Sequence, residues 1–462
     1  MPVQSALFAM RAKMQSFSRT GFVRSVGVLV GGTAFAQALN VLVLPIITRL
    51  YAPDDFTVFA VYVSVLTIIS VVACLRLEIA IPMPERDEDA ANLLALALCS
   101  SFVVTILTAL AVWLFPRQIV DLVGQAALRP YLWLLPLGIW LTSSHAAIQF
   151  WSTRKRKFGT IAKTRMTQAI GGAGSQVGLG WAGFAPLGLL LGYTISSGAG
   201  LLALGRDAVH EDRAAFRGIS WSGMRRTLRQ YDRFPKYSTF EAVANSAGIQ
   251  LPVVIIAALV MGPEAGYLAL AARVMAAPMG LIGGSIAQVY LSRAPEELRA
   301  GTLGSFSAEV LGGLLRTGVG PLLFIGILAP QIFSVLFGQN WERAGEIVMW
   351  MTPWFIFQLM SSPISMVMHI TGRQRPMLAL TVSGLAIRLG AMGLAAHFAR
   401  DHFSEFYAIS GGLFYIVCCW MFSRAAGMGI KDLIRTYRAG SVSLIGWTLI
   451  AVILRIILKQ AA

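Results

Sequence analysis

Charged residues are scarce in this sequence. Asp, Glu, Lys and Arg together make up 13% of its 462 residues, whereas a soluble domain carries roughly 25%. Hydrophobic residues make up 56%, and the mean hydropathy is +0.68. A folded core cannot absorb so much apolar sequence, so the composition excludes a soluble protein and predicts an all-α polytopic membrane protein.

Cysteine is rare as well, and the short motifs of soluble enzymes are missing. The four cysteines lie in apolar segments without the spacing of metal ligands or of a disulfide framework, so we interpret them as small apolar side chains. A P-loop, a GxSxG elbow and a zinc-ligand spacing are all absent from the sequence. We therefore expect no enzymatic activity, no metal and no cofactor.

Apolar stretches of helical length recur along the whole chain. At about 20 residues per span, we predict twelve membrane spans, followed by an apolar run at 441–458 that is either a thirteenth span or an interfacial segment. The predicted spans are 22–48, 55–77, 90–115, 129–151, 158–181, 184–204, 237–261, 265–291, 306–330, 344–370, 376–397 and 403–425. Residues 1–21 lack a cleavable signal peptide and predict a basic amphipathic helix on the cytoplasmic surface.

The basic residues predict the orientation of the chain. The formal net charge is +16, and most of the excess lies in alternate loops, above all at 154–157 and 205–236. Because loops rich in Lys and Arg stay in the cytoplasm, we predict a cytoplasmic N-terminus. Anchoring to anionic lipid headgroups explains the same charge, so it does not indicate a nucleic-acid partner.

The basic stretch 205–236 divides the twelve predicted spans into six and six. Since six is even, both halves enter the membrane from the same side, which predicts a parallel repeat about a pseudo-twofold axis along the membrane normal. The predicted segments are 1–21 (cytoplasmic), 22–204 (N-terminal six-helix lobe), 205–236 (cytoplasmic linker), 237–426 (C-terminal six-helix lobe) and 427–462 (tail with the thirteenth apolar run).

Prolines recur at matching places in the two predicted halves. Pro45 and Pro252 fall late in the first span of each half, and Pro53 and Pro263 fall in the turn that follows. A proline within a helix removes one backbone hydrogen bond and bends the helix. Such bends either let a helix flex during transport or are static kinks that shape packing, and the sequence leaves both alternatives open.

Two stretches near the N-terminus resemble a known family. LPIITRLYAPDDF at 44–56, followed by RLEIAIPMPERDEDAANLLALAL at 76–98, is similar to the polysaccharide biosynthesis transporters, which are flippases of lipid-linked oligosaccharides of the O-antigen and exopolysaccharide type. They belong to the multidrug/oligosaccharidyl-lipid/polysaccharide exporter superfamily, which also holds multidrug extruders and the lipid II flippase. The resemblance is clearest over residues 22–115.

The resemblance implies both a fold and a cargo. It implies two six-helix lobes in a V shape around a central cavity, in a multi-pass protein of the bacterial inner membrane. The cavity would carry an undecaprenyl-pyrophosphate-linked oligosaccharide from the cytoplasmic to the periplasmic leaflet by alternating access. The partners expected on this basis are that polyprenyl-pyrophosphate-linked glycan, membrane lipids, and glycosyltransferases or a glycan polymerase, with the flippase itself as a monomer.

Arginines within the predicted spans are the candidate cargo-binding residues. Arg273, Arg316 and Arg388 lie roughly 12–18 Å deep, counted from the nearer predicted span end. An arginine at a helix centre costs about 2.5–3.5 kcal/mol, so we expect these side chains to face a polar lumen, where a guanidinium can donate two bonds to a phosphate. The alternatives are internal pairing, such as Arg316 with Glu309, and, for Arg24, a place at the membrane interface.

Acidic residues within or beside the spans are candidates for ion coupling, because burial can raise the pKa of a carboxylate into the working range. Glu78, Glu241 and Glu309 are the candidates. Structural pairing is the alternative for each of them, with Arg76 as the expected partner of Glu78. The sequence does not identify a coupling ion.

Three other functions compete with a lipid-linked oligosaccharide flippase. A multidrug/cation antiporter of the same superfamily would need an acidic cavity, whereas the charges deep in the predicted spans are mainly arginines. A membrane enzyme such as a glycan polymerase would carry a long outer loop with catalytic polar residues, and the predicted outer loops are short. A lipid II-type flippase is disfavoured by the resemblance of residues 76–98 alone.

Overall fold

The computed structural model describes residue 28 and residues 31–260 and 262–461. The predicted cytoplasmic segment 1–21 and the candidate Arg24 lie outside the described residues. Within the described ranges every regular element is helical. The prediction of an all-α fold is therefore confirmed.

The first half of the chain forms long helices joined by short turns. A 3-10 turn at Ala126–Tyr131 separates the third long helix from the fourth. The helices are α1 Gly31–Leu50, α2 Pro53–Ala73, α3 Leu77–Ala80, α4 Asp87–Leu114, α5 Pro116–Val123, α6 Leu134–Arg154, α7 Phe158–Trp181, α8 Leu187–Gly198, α9 Leu201–Glu211, α10 Arg213–Arg217 and α11 Trp221–Gln230.

The second half is also built of long helices joined by short turns, and it includes several π-helical turns. These turns lie at Phe234–Ser238, Met279–Gly283 and Leu315–Val319. The helices are α12 Thr239–Leu259, α13 Glu264–Pro278, α14 Gly284–Arg299, α15 Leu303–Leu314, α16 Gly320–Phe337, α17 Glu342–Ile364, α18 Val367–Ile370, α19 Gln374–Phe398, α20 Phe403–Ala425 and α21 Ile430–Ala461.

Nine helical segments among the described residues are long and apolar enough to cross a membrane. The predicted spans 129–151, 158–181 and 265–291 are helical too, but they are not among these nine. The apolar run predicted at 441–458 lies within α21, where Leu444–Ile457 is a shorter apolar stretch. The count of twelve spans and the pseudo-twofold axis stay predictions.

The turn at the start of α2 explains how the stretch 44–56 ends one helix and begins the next. Pro53 takes the first helical position, where its missing N–H costs nothing. The carboxylate of Asp55 accepts a hydrogen bond from the backbone N–H of Ala52 at 2.8 Å, which satisfies a donor that the helix leaves open. Asp54 and Asp55 also complement the positive end of the helix dipole.

Tyr51, one turn earlier, attaches the end of α1 to the first half. Its hydroxyl donates to the carbonyl of Gln176 at 2.7 Å, and the side chain is 2% exposed. Cβ atoms built at Gly180 and Gly188 would lie 2.6 Å and 2.1 Å from the tyrosine. The glycines of α7 and α8 therefore make the space that this ring fills.

The two halves meet mainly along α2, which packs against α12 and α13. One hydrophobic core cluster includes residues of both halves, from Leu44 to Ala408. Large apolar side chains such as Phe102, Leu107 and Trp113 on α4 are exposed instead. An exposed apolar surface on long helices is what the lipid-facing side of a membrane protein requires.

A central cavity as the candidate functional site

A cavity of about 580 Å³ lies between the two halves. Helices α1, α2, α7 and α8 of the first half line it, together with α12, α13, α17, α19 and α20 of the second half. Sites that hold small ligands commonly measure about 300–1,000 Å³. The cavity is thus large enough for part of a polar cargo.

The charged side chains that line this cavity are two arginines, Arg273 and Arg388. None of the described residues that line it is an aspartate or a glutamate. The remaining polar lining consists of uncharged side chains: Asn40, Ser64, Gln176, Tyr193, Ser196, Gln250, Trp354, Gln358, Tyr407 and Tyr415. The cavity is therefore cationic and carries neutral hydrogen-bonding groups among apolar side chains.

Arg273 reaches the cavity from α13. Its guanidinium carbon lies 5.9 Å from the centre of the Phe59 ring on α2, within the range of a cation–π interaction. The Nη1 atom of Arg273 is buried without a hydrogen-bond partner. A buried donor without a partner costs about 1–3 kcal/mol, so a ligand or water that accepts from it would be favoured.

Arg388 reaches the cavity from α19 and is 6% exposed. Its Nη1 donates to the backbone carbonyl of Gly248 on α12 at 3.3 Å. The guanidinium carbon lies 5.3 Å from the Trp354 ring and 5.1 Å from the Phe414 ring, while Nε is buried without a partner. Arg388 thus combines aromatic contacts with unused hydrogen-bonding capacity.

Arg316, for which the sequence left a lumen-facing position and internal pairing open, is not among the residues that line the cavity. It is exposed on the π-helical turn Leu315–Val319, which packs against α21. Depth along a span does not specify which face a side chain occupies, and a π turn shifts that face relative to a regular helix. The other candidate, Arg24, lies outside the described residues.

The three candidate acids are not cavity residues either. Glu241 and Glu309 are exposed. Glu78 is 7% exposed and forms an ion pair with Arg76, the partner expected for it, with 3.6 Å between Nη1 and Oε1. Burial is the main influence on Glu78, and it raises the pKa of this carboxyl. The role of these acids in ion coupling stays a prediction.

Sequence reasoning missed the uncharged polar side chains of the cavity. Gln250 on α12 accepts a hydrogen bond from the Ser64 hydroxyl of α2 at 3.1 Å, and this bond joins the two halves. Gln176 and Gln358 also line the cavity. An amide within an apolar span is a usable signal, because a polar group there normally faces a partner or a lumen.

At one end of the molecule the two halves are bonded directly. The indole Nε1 of Trp341 donates to the carbonyl of Thr48 at 3.0 Å, and the backbone N–H of Gly266 donates to the Thr57 hydroxyl at 3.0 Å. A Cβ at Gly266 would lie 2.1 Å from the carbonyl oxygen of Pro53, so the helices approach closely. We call this region the joint end; it comprises residues 48–57, 264–267 and 341–343.

Beside these contacts, Arg343 holds three helices of the second half together. It forms ion pairs with Glu264 at 2.9 Å, Glu346 at 2.9 Å and Glu405 at 2.8 Å. These carboxylates belong to α13, α17 and α20. Charge-assisted bonds of this kind fix the positions of the helices at the joint end.

At the opposite end of the spans, the stretch 76–98 contacts the linker 205–236. Asn92 donates to the carbonyl of Gly218 at 3.2 Å and accepts from the N–H of Ser220 at 3.1 Å. Asp87 pairs with Arg154 at 2.9 Å. We call this region the linker end; it comprises residues 76–92, 154–157 and 211–226.

Comparison with known proteins agrees with this architecture. No curated protein is a match in sequence. The structure is similar to that of the lipid II flippase MurJ in an inward closed conformation, with a TM-score of 0.74, 13% identity, and coverage of 94% of this chain and 97% of the other.

Two further solved structures show the same fold. An inward-facing multidrug resistance MATE family transporter of the MOP superfamily has a TM-score of 0.60 and 15% identity, covering 88% of this chain and 96% of its own. A MOP superfamily transporter from Pyrococcus furiosus has a TM-score of 0.53 and 11% identity, covering 87% and 95%.

The family is given by sequence. The model of the polysaccharide biosynthesis protein family matches residues 46–346, which is well over half of the chain. The match includes residues 46–56 of the first stretch that carries the resemblance and all of the second stretch, 76–98. It also includes Arg273. The chain belongs to the polysaccharide biosynthesis protein family, and it is a multi-pass membrane protein with the two-lobed fold of flippases and transporters.

Proposed function

We propose that this protein is a flippase that moves an undecaprenyl-pyrophosphate-linked oligosaccharide from the cytoplasmic to the periplasmic leaflet of the bacterial inner membrane. It would act by alternating access and supply the assembly of O-antigen, exopolysaccharide or capsule. Family membership and the transporter fold support membrane translocation without a chemical reaction. The identity of the substrate is the part of this proposal that goes beyond family membership and fold.

One observation carries this choice of substrate: the cavity between the halves is lined by two arginines and by no described carboxylate. A pyrophosphate is anionic and needs charge-assisted donors to leave water. A guanidinium offers a planar fork for two phosphate oxygens. The same cavity offers nothing to neutralise a cationic drug, which argues against the multidrug/cation antiporter.

The uncharged lining suits the rest of such a cargo. Glutamine, asparagine and serine side chains can bond the hydroxyl groups of sugars as donors and as acceptors. Aromatic faces such as those of Trp354 and Tyr193 add apolar surface beside them. Two kinds of lining, cationic and neutral polar, therefore match the two polar parts of a lipid-linked glycan.

Transport in proteoliposomes tests the proposal. A fluorescent undecaprenyl-pyrophosphate-linked oligosaccharide placed in one leaflet would be followed by quenching from the other side. We expect Arg273→Gln and Arg388→Gln each to slow flipping by about tenfold or more, since each removes a charge-assisted contact of about 1.5–3 kcal/mol. Arg424→Gln is the matched control, because Arg424 is exposed and lies over Trp420 away from the cavity.

The outcome decides between cargoes. Wild-type protein that leaves the anionic lipid in its original leaflet, or a double variant that flips at the wild-type rate, would contradict the proposal. A lipid II-type flippase is the second candidate, because the fold is similar to that of MurJ over nearly the whole chain. Faster flipping of lipid II than of the oligosaccharide lipid in the same assay would favour that candidate.

A further inference from the structure

A proline leaves one carbonyl of α12 without its helical partner. Pro252 lies inside this helix and has no backbone N–H. In an α-helix the N–H of each residue bonds the carbonyl four residues earlier, so the carbonyl of Gly248 is the one that Pro252 cannot serve. Both residues are buried, and a buried carbonyl needs another donor.

Arg388 supplies that donor from a different helix. Its Nη1 lies 3.3 Å from the Gly248 oxygen, and the bond is buried. A Cβ built at position 248 would lie 3.6 Å from this nitrogen, an ordinary van der Waals contact, so the guanidinium packs directly against the backbone of α12. The guanidinium of α19 thus substitutes for the N–H that the proline of α12 lacks.

The same guanidinium borders two cavities. Arg388 lines the central cavity and also a second cavity of about 200 Å³, whose lining includes Asn245, Gly248 and Ser361. A guanidinium has five N–H donors. The Nε of Arg388 is buried without a partner, so the side chain is not saturated in this conformation.

We propose that Arg388 couples anion binding in the central cavity to the bend of α12. A phosphate oxygen is a stronger acceptor for a guanidinium than a neutral carbonyl is, because charge-assisted bonds are roughly twice as strong. An anion that recruits Arg388 releases the Gly248 carbonyl. The helix then loses its substitute donor at the proline and bends there, and Asn245 and Ser361 in the lining of the second cavity offer donors for the freed carbonyl.

The expected movement is large enough to measure. Phe240, at the start of α12, precedes Pro252 by twelve residues, or about 18 Å along the helix. A change in bend of roughly 20°, the size of a distinct kink, would move Phe240 by about 6 Å. The identity of the anion as a lipid pyrophosphate rests on the proposed function, whereas the bond between Arg388 and Gly248 does not.

Spin-label distances test the coupling. Labels at Phe240→Cys and Trp420→Cys, both exposed positions of the second half, would be placed in protein whose four cysteines are replaced. Undecaprenyl pyrophosphate is the probe, and its binding is measured separately by thermophoresis. We expect the probe to shift the distance by several ångströms in the otherwise unchanged protein.

Pro252→Ala is the decisive variant, because it returns the N–H that the Gly248 carbonyl lacks. We expect it to bind the probe at least as tightly, since Arg388 no longer serves the helix, but to show no change in distance. Arg388→Met should lose the distance change and bind about tenfold more weakly. Pro330→Ala, in α16, is the matched control and should keep the response.

These outcomes separate the inference from the proposed function. A wild-type protein that does not bind undecaprenyl pyrophosphate contradicts the proposed cargo. Binding without a distance change, or a distance change that persists in Pro252→Ala, overturns the coupling and leaves the cargo in place. A misfolded variant is recognised by its loss of binding together with a lower melting temperature, and if Arg388→Met misfolds, Pro252→Ala alone decides the coupling.

Discussion

The joint end and the linker end both contain a cluster of ion pairs, but they differ in what those clusters support. At the joint end, Arg343 and its carboxylates lie beside hydrogen bonds that cross between the halves. At the linker end, the ion pair of Asp87 and Arg154 joins two helices of the first half, and Asn92 separately bonds the linker.

Hydrogen bonds between the halves follow the same division. Along α2 they occur at Thr57 and again at Ser64, seven residues or about 10 Å farther into the helix. No hydrogen bond of the described residues joins 76–204 to 239–461. The ion pairs therefore stiffen each half, whereas a few neutral hydrogen bonds join the two halves. Only these neutral hydrogen bonds must break for the halves to separate.

The largest effect is expected from Gly266→Ala at the joint end. The new methyl group would lie 2.1 Å from the Pro53 carbonyl and 2.9 Å from the Thr57 nitrogen. Overpacking and the lost N–H bond together would cost about 4 kcal/mol against the joined arrangement. A cysteine at cavity residue Ala269 should then react at least tenfold faster with an impermeant maleimide from the joint side.

Gly313→Ala is the control for this prediction, because no atom lies within 4 Å of a Cβ built there. It should leave the reaction of the cavity cysteine unchanged. An unchanged reaction in Gly266→Ala itself would show that the joint end does not close the cavity.

A smaller effect is expected from Arg343→Gln. The change leaves Glu264 and Glu405 facing each other without a cation, and Glu405 is 7% exposed. Removing one partner of a largely buried ion pair costs about 3 kcal/mol, which lowers the melting temperature of a chain of this size by about 3 °C. Thermal unfolding in detergent measures it, and Arg343→Lys should recover part of the loss. Equal melting temperatures for wild type and Arg343→Gln would refute a stiffening role.

Asn92→Ala tests the linker end and should cost about 2 kcal/mol, because the N–H of Ser220 loses its acceptor. We expect faster proteolysis within residues 205–236, with no change in the maleimide reaction of the cavity. Asn340→Ala, at an exposed position, is the control. A faster maleimide reaction of the cavity cysteine in Asn92→Ala would show that the linker end also controls opening of the joint end.

The smallest effect, of opposite sign, is expected from Glu78→Gln. Burial raises the pKa of Glu78 in the folded protein, so the folded state binds this proton more tightly than the unfolded chain does. The cost of the buried charge is absent below the unfolded pKa and grows as the pH rises through that value towards the folded one. Glu78→Gln should therefore raise the melting temperature at pH 7.5 and have no effect near pH 4. A lower melting temperature at pH 7.5 would show that the ion pair with Arg76 outweighs burial.

Much of the fold could be predicted because it depends on local properties of the sequence. Apolar runs of span length gave helices in nearly every predicted place, and the Pro-Asp-Asp sequence at 53–55 gave a capped helix start. The family followed from residues 44–56 and 76–98, whose resemblance the family match confirms. The structure also gives the second stretch a physical role, since Asp87 and Asn92 bind the linker end.

The candidate site was predictable only in part, because it depends on which face of a helix each side chain occupies. Arg273 and Arg388 line the cavity, whereas Arg316 is exposed on a π-helical turn and does not line it. The bond from Arg388 to the carbonyl of Gly248 joins residues 140 positions apart. The periodicity of apolar residues in the sequence does not predict such a contact. Pro252 does indicate that the carbonyl four residues before it needs another donor.

The last turn of α1 is attached to both halves within four residues. Tyr51 is held by the first half through Gln176, and Thr48 is held by the second half through Trp341. While both bonds hold, the two halves can rotate relative to each other only about this point. For lobes about 30 Å tall, the length of a 20-residue helix, a rotation of roughly 20° about this point would displace the far end by about 10 Å and the axis hardly at all. The stretch 44–56 is thus placed to act as the pivot of this rotation. It would move little, and its packing would have to fit closely.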